Sequence, residues 1–370
     1  MKKLPWKNII GWTLAAVVLI AVITTNIIRH GADESGDKPL IKIGVILPLS
    51  GVMAYGGQTY KNLYELRLSE LSEKTKFRYK LIFEDDELNA QKSITAAQKL
   101  INLDNVDVLM TSFSGAEPTI ADMAAKRGKL SFSLLWDNET PLKNKYAFDS
   151  VLLPTEYVPL LLSEFKKRGI KRVSIVFENH RGALLAYEAL KKHAPEYGVE
   201  IIDTEWIPFG ERDFRILAMK MAKKNPDIYI VPSGPISIAR FVDELRMQDI
   251  HTPVTAVGSF DYVEDKTPYE GVWYVASCLV NPEIAQKYKE KYGKELLLSQ
   301  ALWGYEALNA VINAYESFDT KPTADQLIQK LYEKRTNTIM GDLQYQGNGI
   351  LHGNGVMKVI KNGKPIKLED

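Results

Sequence analysis

Residues 40–57 read Leu40-Ile-Lys-Ile-Gly-Val-Ile-Leu-Pro-Leu-Ser-Gly-Val-Met-Ala-Tyr-Gly-Gly57. Ile41, Ile43, Val45, Ile46 and Leu47 form a short, mostly β-branched run, the signature of a strand buried on both faces. Pro48 stops it, because proline has no N–H to give a sheet ladder. Ser50, Gly51, Gly56 and Gly57 then permit a tight strand-to-helix turn, and the helical pattern from Gln58 aims free N–H groups back at it. In open α/β sheets such turns, at the carboxyl ends of strands, are where ligands bind. Neither G-x-G-x-x-G nor G-x-x-x-x-G-K-[ST] can be written through this turn, so it is not a nucleotide loop.

The same units recur along the chain. Tyr60, Leu63, Tyr64 and Leu71 share a helical face; Leu81–Phe83, Val106–Met110 and Leu130–Leu135 are further strands, with helices at Asn89–Asn102 and Glu117–Arg127. The register changes near Phe148 to Pro154, and a second series begins there, with strands starting at Val173, Val199, Asp227 and Val254. Gly271–Leu279 reads as a strand crossing back, Ala301 to Tyr315 as a long amphipathic helix, and Val356–Ile360 as a terminal strand after a glycine-rich crossing. Alternating strands and helices predict parallel sheets covered on both faces, in two lobes.

Ile41 to Gly57, with its "IGVILPLSG…AYGGQ" wording, resembles the opening of the type I periplasmic binding proteins, in the leucine/isoleucine/valine-binding branch that serves ABC transporters. The likeness runs over nearly everything after Pro39, including Thr338-Ile-Met-Gly-Asp-Leu343, similar to that family's "T-x-x-G-x-L" segment. It implies an α/β fold of two doubly wound parallel-sheet lobes joined by three hinge crossings, near Leu153, Ser277 and Gly349. The expected lobes are 40–153 with 278–349, and 154–277 with 350–370. A small-molecule ligand held between them would be delivered to an ABC permease outside the cytoplasm, with no cofactor and no reaction.

The resemblance also implies site residues, position by position. Ser114 matches the serine that receives the ligand carboxylate in the resembled family, and with Gly115 it stands at a helix start, where N–H groups and the dipole favour an anion. An ordinary N-cap serine fits there as well. Trp136 and Asp137 replace small residues and a threonine; the first is either a pocket wall or core, the second either a ligand acceptor or a helix cap. Arg181 falls where that branch has a tyrosine, once a one-residue gap is allowed, and is either an anion clamp or a surface arginine. Phe260 falls where the branch carries the glutamate that holds an ammonium, with Asp261 one place on. These departures predict a carboxylate-bearing or strongly polar ligand, with a flat part against Trp136, Tyr55 and Phe260, in place of leucine, isoleucine or valine.

Several other features are read in their plainest sense. The formal net charge of +1 over 370 residues gives no electrostatic case for nucleic acid. The single cysteine, Cys278, allows no intrachain disulfide and is expected to be a buried small hydrophobe. His180 has no Ser or Cys partner at a motif spacing, and Glu84-Asp-Asp86 has no accompanying histidine, so neither a triad nor a metal site is expected. The acidic trio is expected to be a solvated strand end with one side chain capping the next helix. At the N-terminus, Lys2, Lys3 and Lys7 precede an apolar run from Ile9 to Ile28 that is about bilayer length and lacks a small-residue cleavage pattern. Residues 1–28 are therefore expected to be an uncleaved transmembrane anchor with a cytoplasmic start, or else a signal segment, and 29–39 a linker.

Overall fold

The structure, a computed structural model, describes residues 38–112, 115–134, 136, 139–231 and 234–369. The expected anchor lies outside them; among the described residues no helix is long and apolar enough to cross a membrane. Leu40–Asp370 form one compact unit.

The opening stretch becomes strand β1 (Leu40–Leu47) and helix α1 (Ala54–Ser69). Ile41, Ile43, Val45, Ile46 and Leu47 have no exposed surface. The chain continues through β2 (Arg78–Asp85), α2 (Ala90–Asn102), β3 (Val108–Thr111), α3 (Glu117–Ala125), β4 (Leu130–Ser133), the short α4 (Thr140–Lys143) and β5 (Ala147–Asp149). These five strands make one parallel sheet in the order β2-β1-β3-β4-β5. Next come α5 (Pro154–Arg168), β6 (Arg172–Glu178), α6 (Arg181–His193), β7 (Glu200–Ile207), α7 (Arg215–Ala222), β8 (Ile228–Ile230), α8 (Pro235–Met247) and β9 (Val254–Thr255). They build a second parallel sheet, β7-β6-β8-β9. Strand order reverses beside β1 in one sheet and beside β6 in the other, so the turns after β1, β3, β6 and β8 frame the two switch points.

Beyond β9 the chain alternates between the two sheets. β10 (Trp273–Ala276) is bridged to the second sheet through Val257 and Val275. α9 (Pro282–Tyr292) and α10 (Leu302–Glu316) return to pack on α1, ahead of α11 (Ala324–Leu331). A meander of β11 (Arg335–Thr338), β12 (Gly341–Tyr345) and β13 (Leu351–His352) joins the first sheet through an Asp149–Ile350 bridge. β14 (Val356–Lys361) and β15 (Lys364–Lys367) then add to β10. Neither the meander nor β15 is visible in the sequence pattern, where the glycines of 347–355 look like one loose crossing. Gly349 (φ +73) is instead the turn of the meander, where a β-carbon would stand 2.5 Å from the carbonyl oxygen of Ala147. The chain changes sheet at Gly353–Gly355, four residues later than expected. There Gly355 lies on Tyr157 of α5, and a β-carbon would come within 3.0 Å of that ring and nearer still to its stem.

Where β10, β14 and the turn before α10 meet, the core contains charge. Lys358 and Asp261 have no exposed side-chain surface, and the Lys358 ammonium lies 3.0 and 2.9 Å from the two Asp261 oxygens. Tyr274 donates to the same carboxylate at 2.7 Å and Ser299 at 2.8 Å, while Lys358 also donates to Ser299 at 2.6 Å. A fully bonded buried pair tolerates loss of neither partner, since removing one strands the other charge in a poor solvent. Lys358→Ala is therefore expected to cost about 3–5 kcal/mol in urea unfolding. Replacing both charges, Lys358→Met with Asp261→Asn, is expected to recover a large part of that loss.

Candidate functional site

The turn after β1 is held by the end of β2. Asp85 accepts from the Leu49 N–H at 2.9 Å, the Ser50 hydroxyl at 2.7 Å and the Glu87 N–H at 3.0 Å. Desolvation pushes the Asp85 carboxyl up, but the Ser50 hydroxyl and these N–H groups together hold it below its ordinary range. Asp86 is fully buried, accepting from Ser93 at 2.6 Å and the Leu88 N–H at 3.0 Å, and burial raises its pKa. Of the acidic trio, Asp85 and Asp86 build the turn, the first exposed as expected and the second buried, while Glu84 pairs with Lys99; the cap of α2 is Asn89, bonded to the N–H groups of Gln91 and Lys92. Among the described residues no group of three His, Cys, Asp or Glu could hold a metal ion. Gly57 is needed for space: a β-carbon there would stand 2.6 Å from the carbonyl carbon of Pro48 and closer to its oxygen.

The second lobe uses the same device with a different residue. Glu178, buried at the end of β6, accepts from the Gly210 N–H at 2.8 Å, from the Gly234 N–H and from the Ser237 hydroxyl at 2.6 Å. One carboxylate therefore ties together the turns after β6, β7 and β8. His180 caps α6, its Nδ1 accepting from the Ala183 N–H at 3.3 Å, and burial pushes its pKa down to about 4.

Where the segments after β3 and β4 meet the start of α6 lies a cavity of about 350 Å³ whose walls include Gly115, Glu117, Trp136, Glu139, Lys143 and Arg181. It brings together three of the residues expected from the sequence. Trp136 is 9% exposed and donates its indole N–H to the Leu152 carbonyl at 3.0 Å, which fixes the ring as a wall. The Arg181 guanidinium reaches Glu139 at 2.5 Å. Lys143 and Arg181 together hold the Glu139 carboxyl below its ordinary range. Gly115, in the left-handed conformation (φ +77), sits two residues before α3. Ser114 and Asp137 lie outside the described residues.

Tyr55, Phe260 and Asp261 do not line this cavity. Tyr55 is partly buried at the start of α1, its hydroxyl pKa raised by burial. Phe260 corrects the expectation of a cleft aromatic: it is fully buried, with its ring centroid 5.1 Å from that of Tyr269 and 5.5 Å from that of Tyr274. Asp261 is likewise committed, to Lys358. Gly258, with a left-handed φ of +76, precedes the turn Ser259–Tyr262, in which Phe260 and Asp261 are buried in the second lobe while Tyr262 packs on the α1 side, 3.9 Å from where a β-carbon at Gly56 would stand. Glu139 and Lys143 escape sequence reading because nothing local distinguishes them from solvated charges. Gly182 carries one signal, a glycine in the first turn of a helix. A larger, open depression of about 570 Å³ between α1 and α9 has polar walls that serve one another, Lys287 with Glu70 at 2.8 Å.

Residues 40–363 match the model of the periplasmic binding protein family. Solved structures share the fold at low identity. One is a solute binding protein of an ABC transporter from Rhodopseudomonas palustris BisB5 in complex with 3,4-dihydroxybenzoic acid: 19% identity, 90% of this chain and 96% of that one, TM-score 0.79. Another is the branched-chain amino acid transporter substrate binding protein LivJ from Streptococcus pneumoniae with isoleucine: 17% identity, 89% and 100% coverage, TM-score 0.78. A third is the leucine binding protein LivK from Thermotoga maritima: 19% identity, 89% and 98% coverage, TM-score 0.78. No curated protein sequence matches the chain.

The His180 cap makes stability pH-dependent in a definite direction. Its pKa is about 4 when folded against 6.5 ordinarily, so between those values the unfolded chain takes up a proton that the folded chain refuses. This contribution is complete above pH 6.5 and is lost as pH falls toward 4. Urea melts across that window are expected to show the loss, and His180→Asn, which keeps a cap acceptor without titrating, is expected to reduce the slope.

Proposed function

Because the chain belongs to the periplasmic binding protein family, we propose that it captures a small carboxylate-bearing solute between its lobes and presents it to an ABC transporter by hinge closure. The observation that carries the ligand class is the convergence of Trp136, Arg181 and Gly115 on one cavity. The indole offers a flat apolar wall and the guanidinium a two-pronged anion partner. The start of α3, with Ser114 beside Gly115, adds N–H groups of the kind that favour an anion. Asp137 supplies an acceptor for a ligand hydroxyl or amine. With Phe260 in the core, the flat part of the ligand rests on Trp136. The relative that binds 3,4-dihydroxybenzoic acid combines the same two chemical demands, a ring and a carboxylate.

The Arg181–Glu139 pair is open to solvent, and such pairs are worth about 0–1 kcal/mol. A ligand carboxylate can therefore replace Glu139 at small cost. Binding needs no bond made or broken, and the carboxylates and the histidine at the strand ends are occupied in building turns. The lobes meet at three connections, after Asp149, after Ala276 and at Gly353–Gly355. The apolar run from Ile9 to Ile28 supports a retained anchor that tethers the binding unit outside the cytoplasm, and it gives weight to a second reading, a tethered sensor that passes closure to a membrane partner.

Calorimetric titration with 4-hydroxybenzoate and with leucine tests the ligand class. Binding of the benzoate, reduced by about 1.5–3 kcal/mol in Arg181→Ala, with leucine inert, is the expected result. Leucine binding indifferent to Arg181→Ala would overturn it. For the anchor, the intact mass of membrane-extracted protein is expected to include residues 1–28; a mature start between Thr24 and Lys38 would show a cleaved signal instead.

A further inference from the structure

The wall formed by Trp136 has a counterpart on the other lobe. Its indole lies over the backbone of Gly182, so that a β-carbon at that glycine would stand 2.6 Å from Cζ3, 3.1 Å from Cδ2 and closer still to Cε3. A side chain cannot enter unless the ring moves. Gly182 is not among the residues with positive φ, so its backbone does not require glycine. It is the second residue of α6, where alanine would favour the helix. The three atoms nearest to such a β-carbon all belong to the tryptophan, which accounts for the absence of a side chain. At its other end the ring is held by the bond to the Leu152 carbonyl, so that it can yield only toward the cavity.

We infer that Gly182 is a positioning residue for ligand binding, acting through Trp136. It is the recess into which the indole of the first lobe seats at the start of α6, directly beside Arg181, and it sets how closely the two lobes approach. With the ring seated, the cavity presents a flat, immobile face next to a guanidinium, an arrangement that selects planar anions over branched aliphatic ones. A side chain at 182 would either hold the lobes apart or push the ring into the ligand space. This inference rests on the cavity being the ligand site, as proposed above.

The test is a double-mutant cycle on the full chain with Gly182→Ala, Trp136→Ala and the two combined, read by melting temperature, with titration of 4-hydroxybenzoate for Gly182→Ala. Gly182→Ala alone is expected to lower the melting temperature and to weaken benzoate binding about tenfold or more, the effect of overpacking a fixed contact. In the Trp136→Ala background the same change is expected to raise the melting temperature, because the helix gains alanine and nothing obstructs it. A helix-start role for Gly182 independent of Trp136 would give the same sign in both backgrounds, and that result would overturn the inference. Unimpaired benzoate binding by Gly182→Ala would overturn it too. If Gly182→Ala fails to fold, a folded double variant supports the inference and an unfolded one defeats it. If the unaltered protein does not bind the benzoate, the ligand reading fails, while the sign of the melting cycle still decides whether Gly182 acts through Trp136.

Discussion

A lysine and an aspartate, neither with any exposed surface, meet where β10 and β14 run side by side and the chain turns toward α10. Moving two ions out of water costs several kcal/mol each, and only close geometry with all remaining hydrogen-bonding positions filled offsets that cost. Here Tyr274 and Ser299 fill them. The four residues come from four places in the chain, the turn after β9, strand β10, the turn before α10 and strand β14. Ser299 is also held from the second connection, since the Cys278 thiol donates to the Ser299 carbonyl at 3.3 Å. One polar cluster thus fixes two connections between the lobes to each other and to the turn that carries Phe260.

Local chemistry is sufficient for the parts of the fold governed by short-range pattern. The run from Ile41 to Leu47 is a strand because every one of its apolar residues has to be buried, and Pro48 ends it for a reason visible in the residue itself. The helix from Leu302 is set by its periodicity. The meander from Arg335 to His352 is not legible, because its strands are short, half-exposed and punctuated by glycines that look like linker. In the site, Trp136 and Arg181 are legible as misfits against a family pattern. Phe260 is misplaced by sequence reasoning because position in a turn does not give direction, and in the turn after Gly258 it is Phe260 and Asp261 that are buried. The destination of Asp261 depends on Lys358, 97 residues further on, and no local signal joins them.

Both lobes solve the same problem at their strand ends. A turn at a strand end needs its N–H groups satisfied without helix or sheet, and here carboxylates do this, the exposed Asp85 and the buried Asp86 in one lobe and the buried Glu178 in the other. Their acceptor positions are taken by backbone and hydroxyl donors of the turns, so their presence there has a structural cause that needs no ligand. Acidic residues at the mouth of an α/β sheet therefore say little about the sign of the ligand until their partners are known.

The contact of Gly355 with Tyr157 bears on how many ways the molecule can move. Three covalent connections would ordinarily flex separately, each with its own soft torsions. Gly355 belongs to the third and lies against Tyr157 in the first turn of α5, immediately after the first. The second is bonded through the Cys278 thiol to Ser299 and from there to Asp261 and Lys358, and Lys358 stands three residues beyond Gly355. All three connections are thus welded into a single bearing. Under the hinge closure proposed above, lobes joined in this way would turn about it rather than slide or shear, and each approach of Trp136 to Gly182 would trace nearly the same arc.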